Sequence, residues 1–124
     1  MPVSREYLDY LIDQLRSFGQ VAPKRMFGGA GLYHDGLFFG LVADDVLYLK
    51  VDDGNRKDFS DAGMKPFRPF GSHAMGYFEV PADVLEDPDE LAAWAWKAFE
   101  AAGRPRKSNV RIKAGRKTRR KEKQ

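Results

Sequence analysis

Hydrophobic and polar positions alternate between Lys24 and Val51, and this stretch organises the rest of the chain. The alternation predicts three consecutive antiparallel strands. We expect these strands at Arg25–Tyr33, Leu37–Val42 and Val46–Val51. They are separated by Asp35-Gly36 and Asp44-Asp45. Asp-Gly between two apolar runs is the strongest short-range signal for a hairpin, because a type I′ turn needs a positive φ at both central residues.

The period of two also assigns side chains to the two faces of this sheet. Within the second strand we expect Leu37, Phe39 and Leu41 on one face and Phe38 and Val42 on the other. The register is strongly specified, because a slip of one residue would turn the buried set toward solvent.

Apolar spacings of three and four residues predict helices on either side of the strands. Ser4 is placed to cap a first helix, which carries apolar residues from Tyr7 to Phe18. A short helix is expected near residues 53–62, and Asp87-Pro88 begins a long final helix. Between these two helices, two prolines limit residues 64–71 to a short or edge strand, and residues 75–80 regain strand character.

These elements predict a single α+β domain in the order α-β-β-β-α-β-β-α, with an antiparallel sheet packed against helices. Charge divides the chain in two. Residues 1–103 hold seventeen Asp or Glu against ten Lys or Arg, whereas residues 104–124 hold eleven Lys or Arg and one Glu. We therefore predict an acidic domain over residues 1–103 and a basic, flexible tail over residues 104–124.

Composition excludes several classes of protein. The chain has no cysteine, which rules out disulfide scaffolds, thiolate zinc sites and cysteine nucleophiles. No apolar run approaches the roughly 20 residues that a membrane-spanning helix needs. The first six residues are too polar for a signal peptide. We expect a soluble cytoplasmic protein without a membrane partner.

The residues that could carry chemistry do not form a recognisable catalytic motif. The cluster Gly28–Gly31 lacks the spacing of a phosphate loop and leads into a hairpin, so we expect a bulge or a close backbone approach there. His34 and His73 have no second ligand at metal spacing. Ser72 lies beside His73 without the Gly-x-Ser-x-Gly spacing of a nucleophile elbow. We predict no catalytic residue, no metal site and no cofactor.

Aromatic residues are frequent in the predicted strands, and two interpretations compete. They could form a stacking platform for bases on the sheet surface, as in RNA-recognition modules. Alternatively, helices that cover the sheet would bury most of them. The acidic balance of residues 1–103 favours the second interpretation, so we expect core packing. The residues concerned are Phe27, Tyr33, Phe38, Phe39, Tyr48, Tyr77 and Phe78.

The tail is the clearest functional feature of the sequence. Its cations would gain affinity for phosphates by releasing counterions, without reading base sequence. A purely solubilising end and a contact with the acidic domain are the alternatives, and salt would screen such a contact. The predicted nucleic-acid-binding residues are Arg104, Arg106, Lys107, Arg111, Lys113, Arg116, Lys117, Arg119, Arg120 and Lys121.

The strand segments and their flanks resemble the TfoX/Sxy N-terminal domain family over about residues 5 to 103. The resemblance is carried by the motif Arg25-Met26-Phe27-Gly28-Gly29, by Gly31-Leu32-Tyr33, by Leu47-Tyr48-Leu49-Lys50, by Pro66-Phe67, and by Tyr77 with Pro81. It implies an antiparallel sheet packed on helices and a role like that of the bacterial TfoX regulators of natural competence. Those regulators are thought to act with the cyclic-AMP receptor protein at promoters. They carry a second, helical C-terminal domain where this chain has its basic tail.

Three hypotheses about function follow. The first is a non-enzymatic regulatory or adaptor protein of the transcription machinery, whose acidic body binds a protein partner while the tail contacts DNA or RNA. In it, the motif Arg25–Gly29 either supports the fold or marks the partner surface. The second is a small ligand-binding domain or enzyme that uses the loop at residues 64–75. The third is a structural homodimer, so the chain is expected to be a monomer or a homodimer.

Overall fold

The computed structural model describes residues 3–26, 28–67 and 76–103. The helices are α1 (Arg5–Gln14), α2 (Arg56–Asp61), α3 (Ala82–Leu85) and α4 (Pro88–Gly103). The strands are β1 (Ala22–Met26), β2 (Gly29–His34), β3 (Leu37–Ala43), β4 (Val46–Lys50) and β5 (Tyr77–Glu79). The predicted α+β class with an antiparallel sheet packed against helices is confirmed.

The five strands form one antiparallel sheet in the spatial order β1-β2-β3-β4-β5. Both predicted turns have the expected backbone. The φ angles of Asp35 and Gly36 are 49° and 80°, and those of Asp44 and Asp45 are 54° and 56°. Positive φ at both central residues is the property of a type I′ turn, whose twist matches that of the strands it joins.

The first predicted strand is wrong in one respect, because it is two strands instead of one. Residues 22–26 pair with residues 29–34 as a hairpin, and Gly28 turns the chain between them with a φ of 78°. Pro23 lies in β1, at the edge of the sheet, where a missing backbone N–H costs least. The chain therefore has four consecutive strands before α2, and not three.

A bulge in β3 overturns the predicted division of its side chains between two faces. Leu32 pairs with Gly40, and Tyr33 pairs with Phe38. Phe39 is therefore an extra residue in β3, without a paired residue between Leu32 and Tyr33 on β2. The extra residue reverses the alternation. Phe39 and Val42 are both buried, with 0% and 1% of their surface exposed, whereas Leu41 is half-buried.

All four helices contribute to one hydrophobic core, which lies on a single face of the sheet; we call this the inner face. Helix residues in this core include Leu11, Phe59, Val84 and Leu91. The strands add a second set of buried side chains to it: Ala30, Leu32, Phe39, Val42, Leu47 and Leu49. Burial of this apolar surface, at about 25 cal/mol per Å², is the main force that holds helices and sheet together.

The helix boundaries follow the capping signals in the sequence. The Ser4 hydroxyl accepts a hydrogen bond from the Tyr7 backbone N–H at 3.1 Å, as its position predicts. Asp87 caps α4 in the same way, through the N–H groups of Asp89 and Glu90. Helix α2 begins at Arg56, later than predicted. The four-residue helix α3, which follows Pro81, was not predicted at all.

The chain before β5 is partly described. Pro66 forms an isolated bridge with Phe78, in keeping with the short edge strand predicted there. Residues 68–75, with Ser72 and His73, and residues 104–124, with the predicted tail, lie outside the described residues. Within the described part of the chain, no helix is long and apolar enough to cross a membrane.

Candidate interaction surfaces

The motif Arg25–Gly29 forms the end of β1, the turn and the start of β2. The Arg25 guanidinium donates a hydrogen bond to the Val3 carbonyl at 3.1 Å and ties the start of the chain to the sheet edge. A Cβ atom on Gly29 would lie 2.3 Å from the Val42 carbonyl oxygen, which is a rigid backbone atom. Gly28 and Gly29 therefore allow the turn and a close backbone approach. Phe27 lies outside the described residues.

The sheet face opposite the helices, here called the outer face, carries most of the aromatic side chains in the described strands. Because directly paired residues share a face, the register places Tyr33 with Phe38 and Lys50 with Tyr77 on this side. Leu41 pairs with Tyr48 on the same face. The expectation that most of these aromatic residues pack in the helix-covered core is therefore wrong, because in the described chain the helices cover one face only.

The aromatic rings of the outer face contact one another across the strands. Tyr33 and Phe38 are stacked, with ring centroids 5.2 Å apart and an interplanar angle of 24°. The Phe38 and Tyr77 centroids are 5.5 Å apart, and those of Tyr48 and Phe67 are 4.8 Å apart. These spacings are typical of favourable aromatic pairs. Tyr33, Phe38 and Tyr48 remain half-buried, so part of each ring is accessible to solvent.

Gly31 makes room for this arrangement. A Cβ atom at this position would lie 2.8 Å from Met26 Cε, 2.9 Å from Phe38 Cε1 and 3.3 Å from Tyr33 Cε1. The two rings therefore lean across the strand onto the position where every other residue would have a side chain. The role of Gly31 depends on its neighbours on β1 and β3, which the sequence alone does not show.

Burial changes the ionisation of two tyrosines on the outer face. It raises the pKa of Tyr77 to about 12, with a smaller contribution from Tyr33 nearby. Burial also raises the pKa of Tyr48, and the Glu79 and Asp44 carboxylates add to the effect. Both phenols are thus neutral at physiological pH. The Lys50 ammonium lies 5.2 Å from the centre of the Tyr77 ring, within range of a cation–π contact.

A groove runs along the β1 edge of the sheet, between the end of α1 and β1. Its lining residues include Arg16, Gly19, Lys24, Tyr33 and His34. His34 Nδ1 lies 2.6 Å from the Gln20 carbonyl oxygen, and the imidazole ring packs against Phe18, Trp96 and Phe99. These contacts give His34 a packing role, which nothing in its sequence context indicates.

Carboxylates concentrate where α3 meets α4. Five exposed acidic residues occupy positions 83–90, and no Lys or Arg among the described residues forms an ion pair with any of them. They are Asp83, Glu86, Asp87, Asp89 and Glu90. No group of His, Asp or Glu in the described chain has the geometry of a metal site. This acidic patch is therefore an exposed, negatively charged surface of the described chain.

Comparison with protein families gives one match. The family model of the TfoX N-terminal domain matches residues 13–102, which include β1 to β5 and nearly all of α4. Comparison with curated proteins gives no match.

Proposed function

Because the chain belongs to the TfoX N-terminal domain family, whose members are regulatory or adaptor-type domains, we propose that it is a non-enzymatic adaptor. Its acidic body binds a protein partner, and its basic tail contacts nucleic acid without sequence preference. The family is not known for an enzymatic activity. A cytoplasmic location and a part in transcription or competence regulation belong to this proposal.

The observation that carries the proposal is the separation of charge along the chain. Residues 1–103 have an excess of seven acidic residues, and residues 104–124 have an excess of ten basic residues. On the body, the acidic patch at α3 and α4 consists of exposed carboxylates without ion-pair partners among the described residues. Such a patch would steer a basic protein surface toward α3 and α4 and repel nucleic acid from that part of the body.

The basic tail would instead attract nucleic acid through its Lys and Arg side chains. Each phosphate that a Lys or Arg neutralises releases a condensed counterion, so binding weakens steeply as salt rises. A protein with roughly six to ten such contacts loses about a thousand-fold or more in affinity between about 50 and 200 mM salt. The tail has eleven Lys or Arg, enough for this range.

The second candidate, a ligand-binding domain or enzyme that uses residues 64–75, gains no support from the described part of that loop. The Phe67 N–H donates to the Tyr77 carbonyl at 2.7 Å, and the Lys65 carbonyl accepts from the Glu79 N–H at 3.2 Å. Residues 65–67 thus pair with β5.

Two variants, one truncated and one with neutralised carboxylates, test the nucleic-acid contact of the tail and the partner contact of the body separately. The chain ending at Gly103 should lose retardation of duplex nucleic acid in gels and keep its protein partner in captures treated with nuclease. A full chain with D83N, E86Q, D89N and E90Q should do the reverse; Asp87 is left intact because it caps α4. Duplex binding that survives the truncation, or a partner retained by the neutralised patch, would contradict the proposal. Sedimentation of both forms distinguishes a monomer from a homodimer.

A further inference from the structure

We propose that the outer face of the sheet is a base-stacking platform for single-stranded nucleic acid. The inference rests on the proposed contact between tail and nucleic acid and adds a second element to it. The tail would hold phosphates and the face would hold unpaired bases. The platform consists of Tyr33, Phe38 and Tyr48, with Lys24 and Lys50 beside them.

The rings have the geometry that stacking requires. Tyr33 and Phe38 stack on each other over Gly31, and both side chains are half-buried, so part of each ring is accessible to a base. Base stacking on aromatic side chains tolerates any base, because every base has a π face. The site therefore suits a ligand without sequence preference, as the tail does.

Two lysines lie on the same face as the rings. Lys24 pairs with Gly31 across the β1–β2 ladder, which places it on the outer face next to Tyr33 and Phe38. Lys50 lies on this face beside Tyr77. Of the carboxylates near the face, Glu79 and Asp44 lie at the Tyr48 end, and Asp35 lies in the turn that follows β2. In the described strands, Lys24 and Lys50 are the cations on the same face as the Tyr33 and Phe38 rings.

The same charges argue against a second copy of the chain as the occupant. A symmetric dimer through this face would bring identical patches together, and the tails of both copies would add like charge. A single strand brings negative phosphates and apolar bases, and it complements both the lysines and the rings. Duplex nucleic acid hides its bases and could not use the platform.

The test is fluorescence anisotropy with the full chain and a labelled mixed-sequence oligonucleotide of about ten nucleotides, single-stranded or duplex. It is run at two salt concentrations. The tail should contribute most of the binding free energy at about 50 mM salt and little of it at about 200 mM. The test variant is Y33L/F38L, which keeps apolar side chains on the face and removes both rings. The matched control is Y10L, on α1, where the tyrosine is 40% exposed.

We expect Y33L/F38L to bind the single strand about five- to a hundred-fold more weakly at the higher salt, with duplex binding unchanged and Y10L equal to the unaltered chain. Photo-crosslinking with thio-substituted bases should label peptides of β2 and β3. Unchanged single-strand affinity, equal losses for single strand and duplex, crosslinks confined to the tail, or a variant whose only change is loss of self-association would each overturn the inference.

Failure of the platform is distinguishable from failure of the proposed function. If the chain ending at Gly103 loses all binding while Y33L/F38L loses none, the tail contact stands and the platform is wrong. If the full chain binds no oligonucleotide even at the lower salt, both are wrong.

Discussion

Phe38 and Phe39 are neighbours in one strand, yet they belong to opposite sides of the molecule. Phe39 is completely buried in the core, with its ring centroid 5.0 Å from that of Phe18, whereas Phe38 lies half-buried on the outer face against Tyr33 and Tyr77. The inner face is closed by four helices. The outer face is covered by none of the described helices, although it carries most of the aromatic side chains in the described strands. The two faces therefore differ in what packs on them.

The difference teaches that aromatic content by itself does not locate a core. On the inner face, rings fill space between helices and contribute mainly to folding. On the outer face, rings contact mainly one another and remain partly accessible, a condition under which they are available for binding. Substitutions on the inner and outer faces test this distinction, and the largest expected effect is on the free energy of unfolding.

Truncation of the two phenylalanines should have unequal effects on stability. F39A removes a ring from a filled core and should lower the free energy of unfolding by about 3–5 kcal/mol. F38A removes a half-buried ring and should cost about 1–2 kcal/mol. Urea denaturation followed by tryptophan fluorescence measures both. Equal losses would show that the outer face is as tightly packed as the core.

Two glycine substitutions compare backbone and side-chain crowding. In G29A the new methyl group meets the Val42 carbonyl oxygen, which cannot move without distorting β3, so we expect a loss of about 1–3 kcal/mol. In G31A the methyl group meets Met26 and Phe38 side chains, which can rotate aside, and the loss should be under about 1 kcal/mol. Thermal unfolding shows which of the two variants loses more stability. A larger loss in G31A than in G29A would mean that the outer-face rings are rigidly held.

Alkaline pH should have the smallest effect on the comparison, and Tyr77 on the outer face accounts for part of it. The pKa of Tyr77 in the folded protein is raised to about 12, above the value near 10 expected in the unfolded chain. The unfolded state therefore loses its proton first, and stability that is fully present below pH 10 falls as the pH rises toward 12. We expect Y77F to remove part of that decline, on the order of 1–2 kcal/mol, in urea titrations at several pH values.

The control for the alkaline test is Y10F, which removes a hydroxyl from an exposed tyrosine. If Y77F and Y10F show the same pH dependence as the unaltered chain, Tyr77 is not the group responsible. Because Tyr7 also has its pKa raised to about 12, mainly by burial, part of the decline should persist in Y77F.

Much of the fold could be predicted from local signals. The Asp-Gly and Asp-Asp turns, the Ser4 and Asp87 caps and the apolar spacing of the long helices all depend on residues close in sequence, and each is found where it was expected. The turn at Gly28 was missed because the cluster Gly28–Gly31 was interpreted as a bulge or a close backbone approach within a single strand. The bulge at Phe39 depends on pairing with β2, which a single strand's pattern does not contain.

The candidate surfaces were harder to predict for the same reason. Tyr33, Phe38 and Tyr77 are up to 44 residues apart in sequence and meet only through strand pairing. Which face of a sheet the helices cover depends on the whole chain and not on any segment. The acidic patch is more local, since positions 83–90 are close in sequence, but the helix α3 that displays part of it was not expected.

The most direct test of the distinction between the two faces is the affinity of two single-site variants for the labelled single strand, measured at the higher salt. F38L should bind at least about five-fold more weakly than the unaltered chain, because it lacks a stacking ring. F39L should bind as the unaltered chain does under conditions in which it remains folded, whatever its loss of stability. Equal affinities for the two variants, or a weaker F39L, would contradict the assignment of binding to the outer face and of folding to the inner one.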